Sequence, residues 1–203
     1  MAHRLALLVS GASGMLLPAR ALRRLAEHPK VERLHLVVSK GAGLVLAHEE
    51  GFDRPGAEGL LAAAELDAGA RAKVVVHRDG ELDAPIASGS YRLRGTAILP
   101  CSSGTLGALA TGSARTLVHR AGAVALKERW PLVLGFRETP LSIVHLENLR
   151  RLAYAGATIH LPVPAFYVGG GDLDRFLEAY LLRLLDLLGL DGPTSDDLRW
   201  GGG

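Results

Sequence analysis

Short apolar runs at residues 5–9, 34–38, 74–76, 97–99, 132–136 and 158–161 recur along the chain, separated by longer stretches with helical spacing. Runs that are apolar at consecutive positions, rather than alternate ones, mark strands covered on both faces of a sheet. The helices between them are legible over 16–26, 114–127 and 143–155. Phe176, Leu177, Tyr180, Leu181, Leu184 and Leu188 form a last apolar stripe. Strand and helix in alternation predict one doubly wound α/β domain: a mostly parallel sheet in a Rossmann-like or flavodoxin-like three-layer sandwich. Residues 51–72, rich in Ala, Gly and acidic side chains, show weak periodicity and read as a loop with room for one short helix. The domain is expected over 1–190, followed by a polar tail over 191–203 whose Trp200 is placed to dock on a neighbouring subunit.

Composition narrows this picture. A chain of 203 residues, 48% hydrophobic, is large enough for one substantial core. The 23 basic and 21 acidic residues give a net charge of +2 without a block of either sign, which gives nucleic acid no electrostatic footprint. The single cysteine, Cys101, excludes an intrachain disulfide and a cysteine-rich zinc site, and suits the reducing cytoplasm. The first apolar run is too short for a signal or membrane-spanning segment, so no membrane insertion is expected. Eight histidines without a His-Glu-x-x-His pattern lead us to expect no catalytic metal.

Candidate chemistry begins at Ser10-Gly11-Ala12-Ser13-Gly14, between the first strand and the first helix, where free amides and a helix dipole favour an anion. The Gly-x-x-Gly spacing, and Val38-Ser39-Lys40 in place of an acidic residue after the second strand, argue against a dinucleotide. Taken alone, the motif is equally a tight turn. Two further loops, Ser39-Lys40-Gly41 and Pro100-Cys101-Ser102-Ser103-Gly104-Thr105, fall at the same carboxyl edge of the sheet, where open parallel sheets bind ligands. Each hydroxyl is individually as good a helix cap. Cys101 reads as a packing residue.

Cations and a carboxylate complete the set. Arg120 and Lys127 lie seven residues apart on one face of their helix, able to meet one anion or to form a solvated basic face. Arg137-Glu138-Thr139-Pro140 leaves the fifth strand with a phosphate-binding guanidinium and a carboxylate able to move protons. As neighbours at a strand end, they can also find separate structural partners. Tyr167, after Pro162-Val163-Pro164-Ala165-Phe166, and Arg183 can clamp a phosphate above an apolar pocket, or merely pack and snorkel.

Together these segments, with Ser88-Gly89-Ser90, Leu126-Lys127-Glu128-Arg129 and Pro131-Leu132-Val133-Leu134, resemble the UbiX/Pad1 flavin prenyltransferases in order and spacing over nearly the whole chain. The resemblance implies transfer of a dimethylallyl group from dimethylallyl phosphate to N5 and C6 of reduced FMN, without metal. The product, prenylated FMN, would serve a UbiD-type decarboxylase, with ubiquinone biosynthesis as one setting. It further implies FMN contacts from Gly11, Ala12, Ser13, Ser39, Ser102, Ser103, Gly104, Thr105 and Arg137. Donor contacts are implied from Tyr167, Arg183, Arg120 and Lys127, a proton relay from Glu138 and Ser13, Glu49 entering from a neighbouring subunit, and a homododecamer. Trp130 stands where the family commonly has a basic residue, Ser103-Gly104 replaces a bulkier pair, and 168–171 is glycine-rich. A related FMN-dependent cysteine decarboxylase and a non-catalytic FMN carrier are the alternatives. Tyr167, Arg183 and Lys127 speak for a small allylic phosphate over the first, and the Arg120, Lys127, Glu138 and Tyr167 constellation for an enzyme over the second.

Overall fold

The structure is a computed structural model that describes residues 3–49, 54–164, 166 and 172–191. Six strands, β1 (His3–Val9), β2 (Val31–Val38), β3 (Val74–Arg78), β4 (Gly95–Cys101), β5 (Leu132–Phe136) and β6 (Thr158–Ile159), form one parallel sheet in the order β3-β2-β1-β4-β5-β6. The order reverses between β1 and β4, so the crevice beyond their carboxyl ends is where a doubly wound sheet accepts a ligand.

Two apolar layers explain the continuous hydrophobic runs. On β1, Leu5, Leu7 and Val9 face one layer, while Ala6 and Leu8 face the other. The first layer is covered by α1 (Leu16–Glu27), α2 (Lys40–Leu46), α3 (Gly56–Ala64), α4 (Ala68–Lys73) and α8 (Leu173–Leu187). The second is covered by α5 (Ser103–Thr111), α6 (Leu117–Lys127), α7 (Ile143–Tyr154) and a 3-10 turn, Pro85–Ala87. In α1 the buried Leu17, Ala21, Leu22 and Leu25 recur at helical spacing and leave Arg20, Arg23 and Arg24 outside, where they pair with Asp174, Glu27 and Glu178. Thr116 caps α6, and Ser142 with His145 forms a reciprocal cap on α7.

The sequence pattern places all six strands, and the first, third and last helical patterns, within a few residues of these bounds. The helix expected from 114 starts at Leu117, because Thr116 leaves helical geometry to cap it. The loop with room for one short helix expected over 51–72 is corrected: two helices, α3 and α4, occupy most of it, burying Leu60, Ala64 and Ala70. Alanine buries little area per residue, so a helix that packs through Ala gives a faint periodic signal. Trp130 packs half-buried against the second layer. Residues 168–171 and Trp200 lie outside the described residues. Among the described residues, no helix is long and apolar enough to cross a membrane.

Candidate functional site

Three loops close on one another at the β1–β4 crevice. Ser10 Oγ donates to the Pro100 carbonyl (3.0 Å) and accepts from the Ser102 amide (2.8 Å), which bolts the first and fourth strand ends together. The sequence reading gave Ser10 no role of its own; a hydroxyl on the last position before the glycine turn was the available signal. The Ser39 amide donates to the Val9 carbonyl and brings in the second loop. A Cβ on Gly11 would stand 2.7 Å from the Gly41 carbonyl carbon, so this glycine is required by close backbone approach. Gly11→Ala is therefore expected to lower the melting temperature by roughly 3–10 °C, since overpacking against backbone costs about 1–3 kcal/mol, and to weaken flavin binding with it. Differential scanning fluorimetry with and without FMN measures both.

The hydroxyls divide into two kinds. Ser39 Oγ accepts from the Ala42 amide and Ser102 Oγ from the Thr105 amide, so both are helix caps as well as rim residues. Thr105 is buried, receiving the Ser102 hydroxyl at 3.2 Å, and Ala12 is buried within the turn. Ser13 and Gly104 are open to the crevice. Ser103 Oγ donates to Glu138 Oε2 (3.0 Å), and the Thr139 amide donates to Glu138 Oε1. These two bonds, then the charges of Arg137 and His145, hold the Glu138 carboxyl below its ordinary value and ionised at neutral pH.

Arg137 turns away from Glu138, as adjacent side chains at a strand end do. Its Nε is buried with no hydrogen-bond partner among the described residues. It borders a cavity of about 250 Å³ walled by Leu16, Leu17, Pro100, Pro162, Phe176 and Leu177, with Ser13 at the rim. A buried guanidinium N–H without an acceptor is costly and rare, so this one points to an anionic or carbonyl-bearing ligand. The Gly11–Gly41 contact, the open Ser13 and the orphaned Arg137 donor together fit a flavin phosphate and ring edge. Cys101, at the head of the fourth-strand loop, is fully buried and its thiol is pushed up to about 12 by burial, in keeping with a packing role.

Other expected residues fall elsewhere. Glu49 does not need a neighbouring subunit to reach the rim: its carboxylate accepts from the Gly14 and Met15 amides of its own chain, each at 2.7 Å, and caps α1. Arg120 and Lys127 do share a face of α6, and both lean on the turn around Gly89. Arg120 Nε donates to the Ala87 carbonyl, and Lys127, paired with Glu128, stands where a Gly89 side chain would go. A single chain does not bring Lys127 to Arg137, however. Lys127 ends the helix that leads into the start of β5, and Arg137 leaves its far end, roughly 16 Å of strand away. Arg183 is exposed on α8, 3.8 Å from Asp186, with its charge felt by His160. Tyr167 lies outside the described residues. Among the described residues, no three His, Cys, Asp or Glu side chains converge as a metal site would require.

Comparison with known proteins places this rim in a family. The Flavoprotein family model matches residues 1–175. The flavin prenyltransferase UbiX of Synechocystis is 39% identical over 208 residues, covering 100% of this chain and 98% of the relative. The chain belongs to the UbiX flavin prenyltransferases. Two solved structures of similar proteins agree with the fold throughout. One is AnUbiX (PadA1) in complex with FMN and dimethylallyl pyrophosphate, with a TM-score of 0.85, 37% identity and 100% coverage of both chains. The other is the dodecameric FMN-dependent UbiX-like decarboxylase from Escherichia coli O157:H7, with a TM-score of 0.84, 36% identity and coverage of 98% and 100%. The membership bears out the resemblance drawn from the motifs.

Proposed function

We propose that the chain transfers a dimethylallyl group from dimethylallyl phosphate to N5 and C6 of reduced FMN, yielding prenylated FMN for a UbiD-type decarboxylase. The observation that carries this reading is the buried, unpartnered Arg137 Nε beside an apolar cavity, with an ionised Glu138 on the same rim. Reduced FMN, when bound, supplies the nucleophilic ring atoms. Gly11, Ala12, Ser13, Ser39, the Ser102–Thr105 loop and Arg137 hold it. Glu138, with Ser13, moves protons. Glu49 fixes the first turn of α1 beneath the rim. Cations, rather than a metal, meet the departing phosphate.

Because Lys127 stands at the opposite end of the sheet from Arg137, the reading places it, with Arg120, Tyr167 and Arg183, in a site completed by another copy. The surface supports such assembly. Helix α7 buries only Leu152 and exposes Ile143, Val144, Leu146 and Tyr154, while Val163 and Phe166 are exposed on the lip beyond β6. A homo-oligomer, a dodecamer as in the Escherichia coli relative, in the cytoplasm is the form proposed. The test is anaerobic incubation of the protein with reduced FMN and dimethylallyl phosphate, without added metal, followed by mass spectrometry of the flavin. Gain of one five-carbon prenyl unit is expected, and an unchanged flavin, where an active relative modifies it, refutes the proposal.

A further inference from the structure

A chain of buried polar side chains lies outside the rim. His35 on β2 and His77 on β3 are both buried, and His35 Nδ1 is 2.8 Å from His77 Nε2. The other nitrogen of His35, Nε2, is 3.0 Å from the hydroxyl of Tyr91, in the segment between the 3-10 turn and β4. The histidine rings are stacked, the Tyr91 ring meets His35 edge-on, and the Arg4 guanidinium covers the Tyr91 ring at 5.0 Å. Burial, then the nearby charges of His77, Arg33 and Arg4, push His35 down to about 4. The ring is therefore neutral, with one N–H and one lone pair, and both are used. An apolar pair would fill the same space without desolvating two imidazoles, so the network calls for a reason other than packing.

The reason is visible in what the chain of bonds holds. Tyr91 closes the turn that follows Ala84, in which the Ala87, Ser88 and Tyr91 amides donate to the Ala84, Pro85 and Ser88 carbonyls. That segment supplies the Ala87 carbonyl to Arg120 and the Gly89 backbone against Lys127. The loop after His77 also grips α6 directly: the Asp79 carbonyl accepts from the Leu117 amide at 2.7 Å, and Asp79 Oδ1 accepts from the Val118 amide at 3.0 Å. Glu81 Oε1 stands 3.7 Å from His77 Nδ1 and steadies the ring. Helix α6 and the turn beside it are thus tied to the same sheet edge by two routes.

We infer that Tyr91, His35 and His77 are positioning residues for the prenyl donor: they pin the 85–91 turn, and through it set the directions in which Arg120 and Lys127 present their charges. The inference rests on the proposed function, which assigns those two cations to the donor phosphate. Tyr91→Phe keeps the ring and its contact with Arg4 and removes only the hydroxyl that His35 holds. In the assembled, FMN-loaded protein it is expected to weaken dimethylallyl phosphate binding by about 3- to 10-fold, the size of one neutral hydrogen bond, with FMN affinity unchanged. On an Arg120→Ala background the same change is expected to cost less than in the wild type, because one of the two cations that the turn directs is already gone.

Hydrogen exchange of the 85–92 amides, measured without donor, is expected to be faster in Tyr91→Phe. Unchanged exchange overturns the pinning. Faster exchange with unchanged donor affinity, or full additivity with Arg120→Ala, overturns the positioning role. A wild-type chain that binds no dimethylallyl phosphate refutes the proposed function instead, and the exchange measurement still decides whether the hydroxyl holds the turn.

Discussion

Glu138→Gln is expected to slow flavin prenylation by about 10²- to 10⁴-fold, the usual worth of a positioned acid–base group, while FMN binds within about twofold of wild type. Glutamine is nearly the same size, and its carbonyl can still accept from the Ser103 hydroxyl, so the substitution removes proton transfer without dismantling the rim. The pH dependence follows from the same bonds. A carboxyl held below its ordinary value of 4.5 stays ionised until the pH falls through that lowered value. The part of the rate that needs the base is therefore retained above the usual carboxylate range and lost only beneath it. Single-turnover kinetics of adduct formation, with FMN affinity measured separately by fluorescence, check both parts. Normal turnover in Glu138→Gln rules out the relay.

The second large effect is on binding. Arg137→Ala is expected to weaken FMN binding by about 10- to 100-fold, the loss of a charge-assisted hydrogen bond in a partly buried place. The free protein should lose little stability, because the donor removed is one that the free protein leaves unsatisfied. Arg137→Lys keeps the charge but not the planar fork, and is expected to fall between the two. Titration of FMN into each variant, with melting curves of the flavin-free proteins, provides the test. An Arg137→Ala variant that loses stability as an apoprotein but binds FMN normally shows the guanidinium to be structural.

How much of this was legible beforehand depends on what each residue does. The strands could be read because they are buried on both faces and carry unbroken apolar runs; β5 is found residue for residue. Helices α3 and α4 could not, since they meet the sheet through Leu60, Ala64 and Ala70 amid glycine and alanine. At the rim, Ser10–Gly14 and Ser102–Thr105 could be placed because strand ends of a doubly wound sheet define the ligand edge. The division of labour among their hydroxyls could not: Ser39 and Ser102 cap helices, Ser103 reaches Glu138, and Ser10 joins two strands. Periodicity correctly put Arg120 and Lys127 on one face, but it carries no information on which end of the sheet each of them approaches. Nothing in the spacing of His35, His77 and Tyr91 marks them as partners, because the parallel pairing of β2 with β3 brings the two histidines together and the loop before β4 brings Tyr91 to them.

The burial of Cys101 has a chemical side. An allylic phosphate is an alkylating agent, and a thiolate on the loop proposed to border the flavin would compete with the ring nitrogen for the prenyl group. Burial pushes the Cys101 thiol up to about 12, so the thiolate is scarce at neutral pH. The sulfur of Met15, at the head of α1, is likewise shut inside. The protein thus handles an electrophile while offering it no soft nucleophile from these two sulfurs.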